Sequence, residues 1–180
     1  MDRLALEETA EKVIQENNVD PSNGYDIVSL AKGMGFYVGT ALLDENEDGF
    51  IMVNTEGTKL LGTEYNKIIV VNDSRDLDLK RFIIAHELGH YVINGKDSEI
   101  FAHRKKEGDE RADNEQEVDY FAASLLMPKS AFSAKYKQLC AEGKGIAERV
   151  VKLKNIFRAP MESVLRRIEE LGLVANGGAV

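Results

Sequence analysis

Cysteine is almost absent: Cys140 is the only one in 180 residues. One thiol excludes an internal disulfide and any zinc cluster built on cysteines. Basic charge is short as well. Lys and Arg total 23 against 31 Asp and Glu, so the net charge is −8. A surface of that sign works against non-specific nucleic-acid binding, which needs basic patches. No apolar run approaches the ~20 residues of a membrane-spanning helix. The N-terminus, Met1-Asp2-Arg3-Leu4-Ala5-Leu6-Glu7-Glu8, has acids where a signal peptide has bases and an apolar stretch. The expected location is the cytoplasm, with no membrane partner. Disorder is not indicated either, because 43% of residues are hydrophobic and 30% charged. What remains is an intracellular enzyme or regulator, expected as one domain over 1–180.

The hydrophobic pattern predicts an α+β protein. Leu4, Leu6, Ala10, Val13 and Ile14 recur at helical spacing in 2–17. A breaker cluster, Asp20-Pro21-Ser22-Asn23-Gly24, separates this helix from a second over about 25–34. Three strands follow, at 36–43, 50–53 and 67–72. The polar turn Asp44 to Gly49 suggests that the first two form a hairpin in a small, mostly antiparallel sheet. A loop is expected over 54–66. Asp73-Ser74-Arg75-Asp76 offers caps for a helix over 77–93, which Asn94-Gly95 stops. The charged segment Lys96 to Asn114 reads as a surface loop, with Ile100-Phe101-Ala102 as a possible short strand. Another helix spans 115–126, and Pro128 opens the next. The core is expected over about 25–137. Two more helices at 144–173 break near Arg158-Ala159-Pro160.

The sharpest feature is His86-Glu87-Leu88-Gly89-His90. Positions i and i+4 share a helix face, so two neutral imidazoles there can reach one tetrahedral zinc. Glu87 projects beside them, where it can take a proton from water at the metal. The competing reading is two surface histidines, which the strongly apolar helix disfavours. A catalytic zinc needs a third protein ligand and an open position. No His-x-x-Gly-x-x-His follows His90, so carboxylates on the next helix are the source. Val118, Phe121, Ala122 and Leu125 define its buried stripe, with Glu115 and Asp119 on or near it. Glu117 is rotated ~200° from Glu115, so the two cannot share a site. Glu115 as ligand and Asp119 as acceptor for a histidine N–H suit such a centre. The alternative for Glu115 is a solvated first-turn carboxylate favoured by the helix dipole.

The run Arg81-Phe82-Ile83-Ile84-Ala85-His86-Glu87-Leu88-Gly89-His90, followed by Glu115-x-x-x-Asp119-x-Phe121-Ala122-Ala123-x-Leu125-Leu126-Met127-Pro128, resembles the ImmA/IrrE family of metallopeptidases. The resemblance covers roughly Tyr25 to Pro128 and, more loosely, the helices to Leu173. It implies a zincin-like fold, a small twisted sheet beside an active-site helix. It implies Zn²⁺ on His86, His90 and Glu115, with Glu87 as general base. It also implies an intracellular regulatory protease whose protein substrate is a helix-turn-helix repressor of a mobile element or stress regulon. Members usually carry Asn where Asp119 stands, and aspartate can still accept from an imidazole N–H. Many carry a histidine at the position of Asn94, which weakens any metal role for position 94 here.

Lesser signals remain. Gly89 costs a helix interior ~1 kcal/mol relative to Ala, which close approach of another backbone would explain. His103, Tyr65, Tyr91 and Tyr120 are candidate donors to an oxyanion. Cys140 reads as a buried structural thiol. Helices at 146–151 and 161–168 resemble a helix-turn-helix. From Lys144 to Leu173 seven bases outnumber four acids. Direct DNA binding is nevertheless not expected, because Glu169 and Glu170 sit where a recognition helix would continue. Packing helices are the preferred reading. Two other functions stay open: a non-catalytic zinc-containing or repressor-binding regulator, and a non-peptide hydrolase with the same ligands. Two histidines and a carboxylate also suit iron or manganese.

Overall fold

The computed structural model describes residues 1–60, 62–94 and 112–174. Helix α1 (Arg3–Glu16) begins where the Asp2 carboxylate accepts from the Ala5 N–H at 2.8 Å. It buries Leu6, Ala10, Val13 and Ile14. Helix α2 (Ile27–Gly33) is capped in the same way by Asp26. Gly35 then turns the chain with φ +87°, a conformation that favours glycine.

Strands β1 (Tyr37–Ala41), β2 (Gly49–Leu60) and β3 (Thr63–Asn72) form a mixed sheet in the order β1-β3-β2. The expected β1–β2 hairpin is not formed. β3 lies between them, parallel to β1 and antiparallel to β2. The physical reason is Asn72, fully buried at the end of β3. Its side-chain amide donates to the carbonyls of Glu47 at 2.7 Å and Asp44 at 3.2 Å. The polar turn is thereby carried across the sheet instead of folding β2 back on β1. The true hairpin joins β2 to β3. It is longer than the pattern implied, because most of the expected loop over 54–66 continues the ladder past a bulge between Val53 and Thr58.

Helix α3 (Leu77–Asn94) packs against this sheet. A Cβ on Gly49 would come within 2.7 Å of Ile83 Cγ2, which shows how closely β2 approaches the helix. Helix α4 (Ala112–Leu126) lies against both α3 and α1. Helix α5 (Lys129–Ala141) starts after Pro128, and α6 (Ile146–Phe157) and α7 (Met161–Glu170) follow. Arg158 breaks α6 from α7 in the left-handed conformation, at φ 51°. One apolar cluster runs from Leu6 through Ile69, Leu88 and Phe121 to Ile168. The mixed α+β architecture with the metal-motif helix beside a small sheet is zincin-like, as the motifs imply.

Two buried arginines join the helices. Arg81 on α3 donates to the carbonyls of Arg158 at 2.9 Å and Tyr25 at 2.7 Å. Arg167 on α7 makes a two-pronged pair with Glu7 on α1, at 2.6 and 2.9 Å, and donates to the Met127 carbonyl at 3.0 Å. Cys140 is exposed rather than buried, with Arg149 Nη1 2.8 Å from its sulfur. Its position on the outer face of α5 is one that a single apolar-looking residue cannot reveal. The expected loop at 96–114 falls mostly outside the described residues, and the short strand at 100–102 wholly so.

Candidate metal centre

Helix α3 presents His86 and His90 one turn apart, on the side that meets α4. Gly89 lies between them, packed directly against α4. A Cβ there would stand 3.0 Å from Val118 Cγ1 and 3.1 Å from Phe121 Cδ1. The missing side chain is what lets the histidine-bearing and carboxylate-bearing helices meet, as expected for Gly89.

Three donors converge across that contact. His86 Nε2 and His90 Nε2 are 3.1 Å apart. Glu115 Oε2 is 3.3 Å from His86 Nε2, and Glu115 Oε1 is 3.7 Å from His90 Nε2. Donors held at ~2.0–2.1 Å around a tetrahedral zinc stand roughly 3.3–3.4 Å from one another. The closest approaches are near that spacing, although they use different Glu115 oxygens, and one donor atom from each residue lies within 4.8 Å of the others. The chemistry of the triangle, two imidazoles and a carboxylate, also suits that ion. Among the described residues these three side chains form the group able to hold a metal.

Asp119 stands one turn along α4 from Glu115. Its Oδ1 is 2.9 Å from His86 Nδ1. A carboxylate can only accept there, so Nδ1 carries the proton and Nε2 presents the lone pair. Burial opposes a charge on His86. Hydrogen bonds to Asp119 and Glu115, with the charge of Glu87 nearby, outweigh it and push the imidazole up to about 10. A divalent cation would take over the role that this proton plays. Glu87 is only 2% exposed and is near enough to act electrostatically on His86.

The remaining candidates are placed elsewhere. Glu117 pairs with the Met1 amine, away from the triangle. Tyr120 donates to Glu7 at 2.9 Å within the buried α1–α7 network. Tyr91 is packed edge-on against Phe36, and Tyr65 lies tilted against Tyr37. Among the described residues these tyrosines contact Glu7, Phe36 and Tyr37 rather than the three donors, and His103 lies outside the described residues. Arg166 is a site neighbour that motif reading missed: its Nη1 is 3.8 Å from Asp119 Oδ2. No motif could have revealed it, since α7 and α4 are far apart in sequence.

The model of the IrrE N-terminal-like domain, peptidase family M78, matches residues 44–169. The chain belongs to this family. No curated protein matches the chain. Among solved structures it is similar to a Mycobacterium tuberculosis transcriptional regulator, with 18% identity and a TM-score of 0.59. That likeness covers 92% of this chain and 46% of the other, so the chain spans about half its neighbour's length. At that identity the likeness is one of fold. No helix among the described residues is long and apolar enough to cross a membrane.

Proposed function

We propose that the protein is a zinc-dependent metalloendopeptidase that cleaves a helix-turn-helix repressor of a mobile element or stress regulon. The observation that carries this reading is the triangle of His86, His90 and Glu115, with the Glu87 carboxylate buried beside it. Membership of a peptidase family supports it. Three protein donors without a cysteine partner suit catalysis, since structural zinc is normally closed by four ligands.

His86, His90 and Glu115 would hold Zn²⁺. When bound, the ion supplies a Lewis acid that polarises the scissile carbonyl and acidifies water. Glu87 takes a proton from the attacking water and returns it to the leaving amine. Asp119 fixes the His86 ring by accepting from Nδ1–H. Glu87 is 2% exposed, so the fold keeps its carboxylate out of bulk water.

The substrate class rests on the family, with the similar fold of a transcriptional regulator in keeping with it. The test is co-expression with a helix-turn-helix repressor encoded beside this chain. One discrete, chelator-sensitive cut of the repressor with little digestion of casein is expected. Rapid general proteolysis of casein, or an intact repressor under inducing conditions, would count against the reading. The alternative, a non-catalytic regulator, predicts full biological function from Glu87→Gln.

A further inference from the structure

His86 is held from behind by Asp119, and Asp119 has a second oxygen. Oδ1 takes the His86 Nδ1–H at 2.9 Å, and Oδ2 faces Arg166 Nη1 at 3.8 Å. The three side chains come from three helices. His86 is on α3, Asp119 on α4 and Arg166 on α7. The Asp119 side chain is 38% exposed. Without a second partner a half-solvated carboxylate can rotate about χ2 or turn toward water.

We propose that Arg166 is a positioning residue for the metal centre, which holds Asp119 so that Asp119 can hold His86. This rests on the reading of His86, His90 and Glu115 as metal ligands. The guanidinium engages one carboxylate oxygen and leaves the other aimed at the imidazole. Arg166 is itself fixed by its helix: Val164 and Ile168 on either side of it are buried, as is Arg167 next to it, locked to Glu7. The position of α7 is thereby read at the metal site through one charged contact. Glu170, one turn further on, lies within electrostatic reach of Arg166 but closer in effect to Arg167. The Arg166 side chain is 55% exposed, so screening weakens its direct repulsion of a cation. Positioning therefore outweighs repulsion, and removing the arginine weakens metal binding.

The experiment is a zinc-affinity measurement by competition with a chromophoric chelator, on the full chain at low salt. Losing a partner that orients a ligand typically costs 10–100-fold in metal affinity. Arg166 acts one residue further out, so Arg166→Ala should cost about three- to tenfold. The contact is single rather than a bidentate fork, so Arg166→Lys should recover most of the loss. In an Asp119→Ala background, Arg166→Ala should have no further effect. The deficit should also shrink at 1 M salt. Unchanged or tighter zinc binding by Arg166→Ala would overturn the proposal. So would an equal loss in the Asp119→Ala background, which would mark a general structural effect. His86→Ala separates the two levels. If it abolishes zinc binding while Arg166→Ala binds normally, only the positioning role fails. If His86→Ala binds zinc normally, the ligand reading fails and the positioning role with it.

Discussion

His86 and His90 were readable as a pair because helical spacing alone puts i and i+4 on one face. The 100° step per residue showed that Glu115 and Glu117 cannot share a site and the buried stripe favoured Glu115; the structure brings Glu115 to the histidines and Glu117 to the Met1 amine. Two predictions belong at this scale. Glu115→Ala and His86→Ala should lose zinc on purification, while Glu117→Ala keeps about one ion per chain, as measured by metal analysis. Normal zinc in Glu115→Ala would show that another group holds the ion. Arg167 shows where residue reading stops. It sits three positions after Val164 and one before Ile168, on the buried stripe of α7. The spacing was visible, but a guanidinium on an apolar stripe is buried only if an acid meets it, and Glu7 lies 160 residues away. A charge count takes it for a solvated base. The structure shows it is unavailable to a phosphate, so no salt-sensitive, sequence-specific DNA complex is expected in an electrophoretic shift assay. Such a complex, lost in Arg166→Ala/Arg167→Ala, would contradict this.

At the scale of elements, the helices were legible and the sheet less so. Helix ends announce themselves through Asp2, Asp26, Asp76, Pro128 and Pro160, whose effects are local. Strand order is not local. Nothing within β1 or β2 says that β3 will come between them, and the decisive contacts run from Asn72 to a turn about 25 residues earlier. The β2–β3 arm was missed because Asn54 to Asn66 is polar, and polar strands look like loops when no face of them is buried. The α3–α4 contact was legible at one point, Gly89. That contact yields a third prediction. Gly89→Leu would force a branched side chain against Val118 and Phe121. It should separate the ligand helices and lower zinc affinity by tenfold or more, read by chelator competition. Overpacking of this kind also costs about 1–3 kcal/mol of stability. Gly89→Leu with unaltered zinc affinity would mean that the donors do not depend on this close approach.

Across the whole molecule, the N-terminal and C-terminal helices are tied through the buried Glu7–Arg167 pair, with Tyr120 and the Met127 carbonyl completing it. Breaking a buried pair by removing one partner costs about 3–5 kcal/mol. Glu7→Gln should lower the denaturation midpoint accordingly. Burial acts to raise the Glu7 carboxyl, but the hydrogen bond and charge of Arg167 prevail and hold it below its ordinary value. A depressed carboxylate stabilises the fold above the unfolded-state value and loses that contribution as pH falls through the folded-state value. The gap between wild type and Glu7→Gln should therefore be widest near neutral pH and close in acid, below the usual carboxylate range. A gap that stays constant from pH 7 to pH 3 would assign the effect to packing instead of charge. The same network holds α4 at Tyr120 and just past its C-terminus at Met127, on the helix that carries Glu115 and Asp119. Stability and site geometry thus share one scaffold. The central claim is that this scaffold holds a catalytic metal centre in which Glu87 moves the proton. Glu87→Gln tests it most directly, since the amide keeps the size of the carboxylate and cannot act as a base. Zinc content and repressor cleavage should be measured side by side on wild type and variant. The account predicts about one zinc per chain in both proteins and cleavage by the wild type alone. Cleavage by Glu87→Gln at the wild-type rate, with zinc bound, would contradict it.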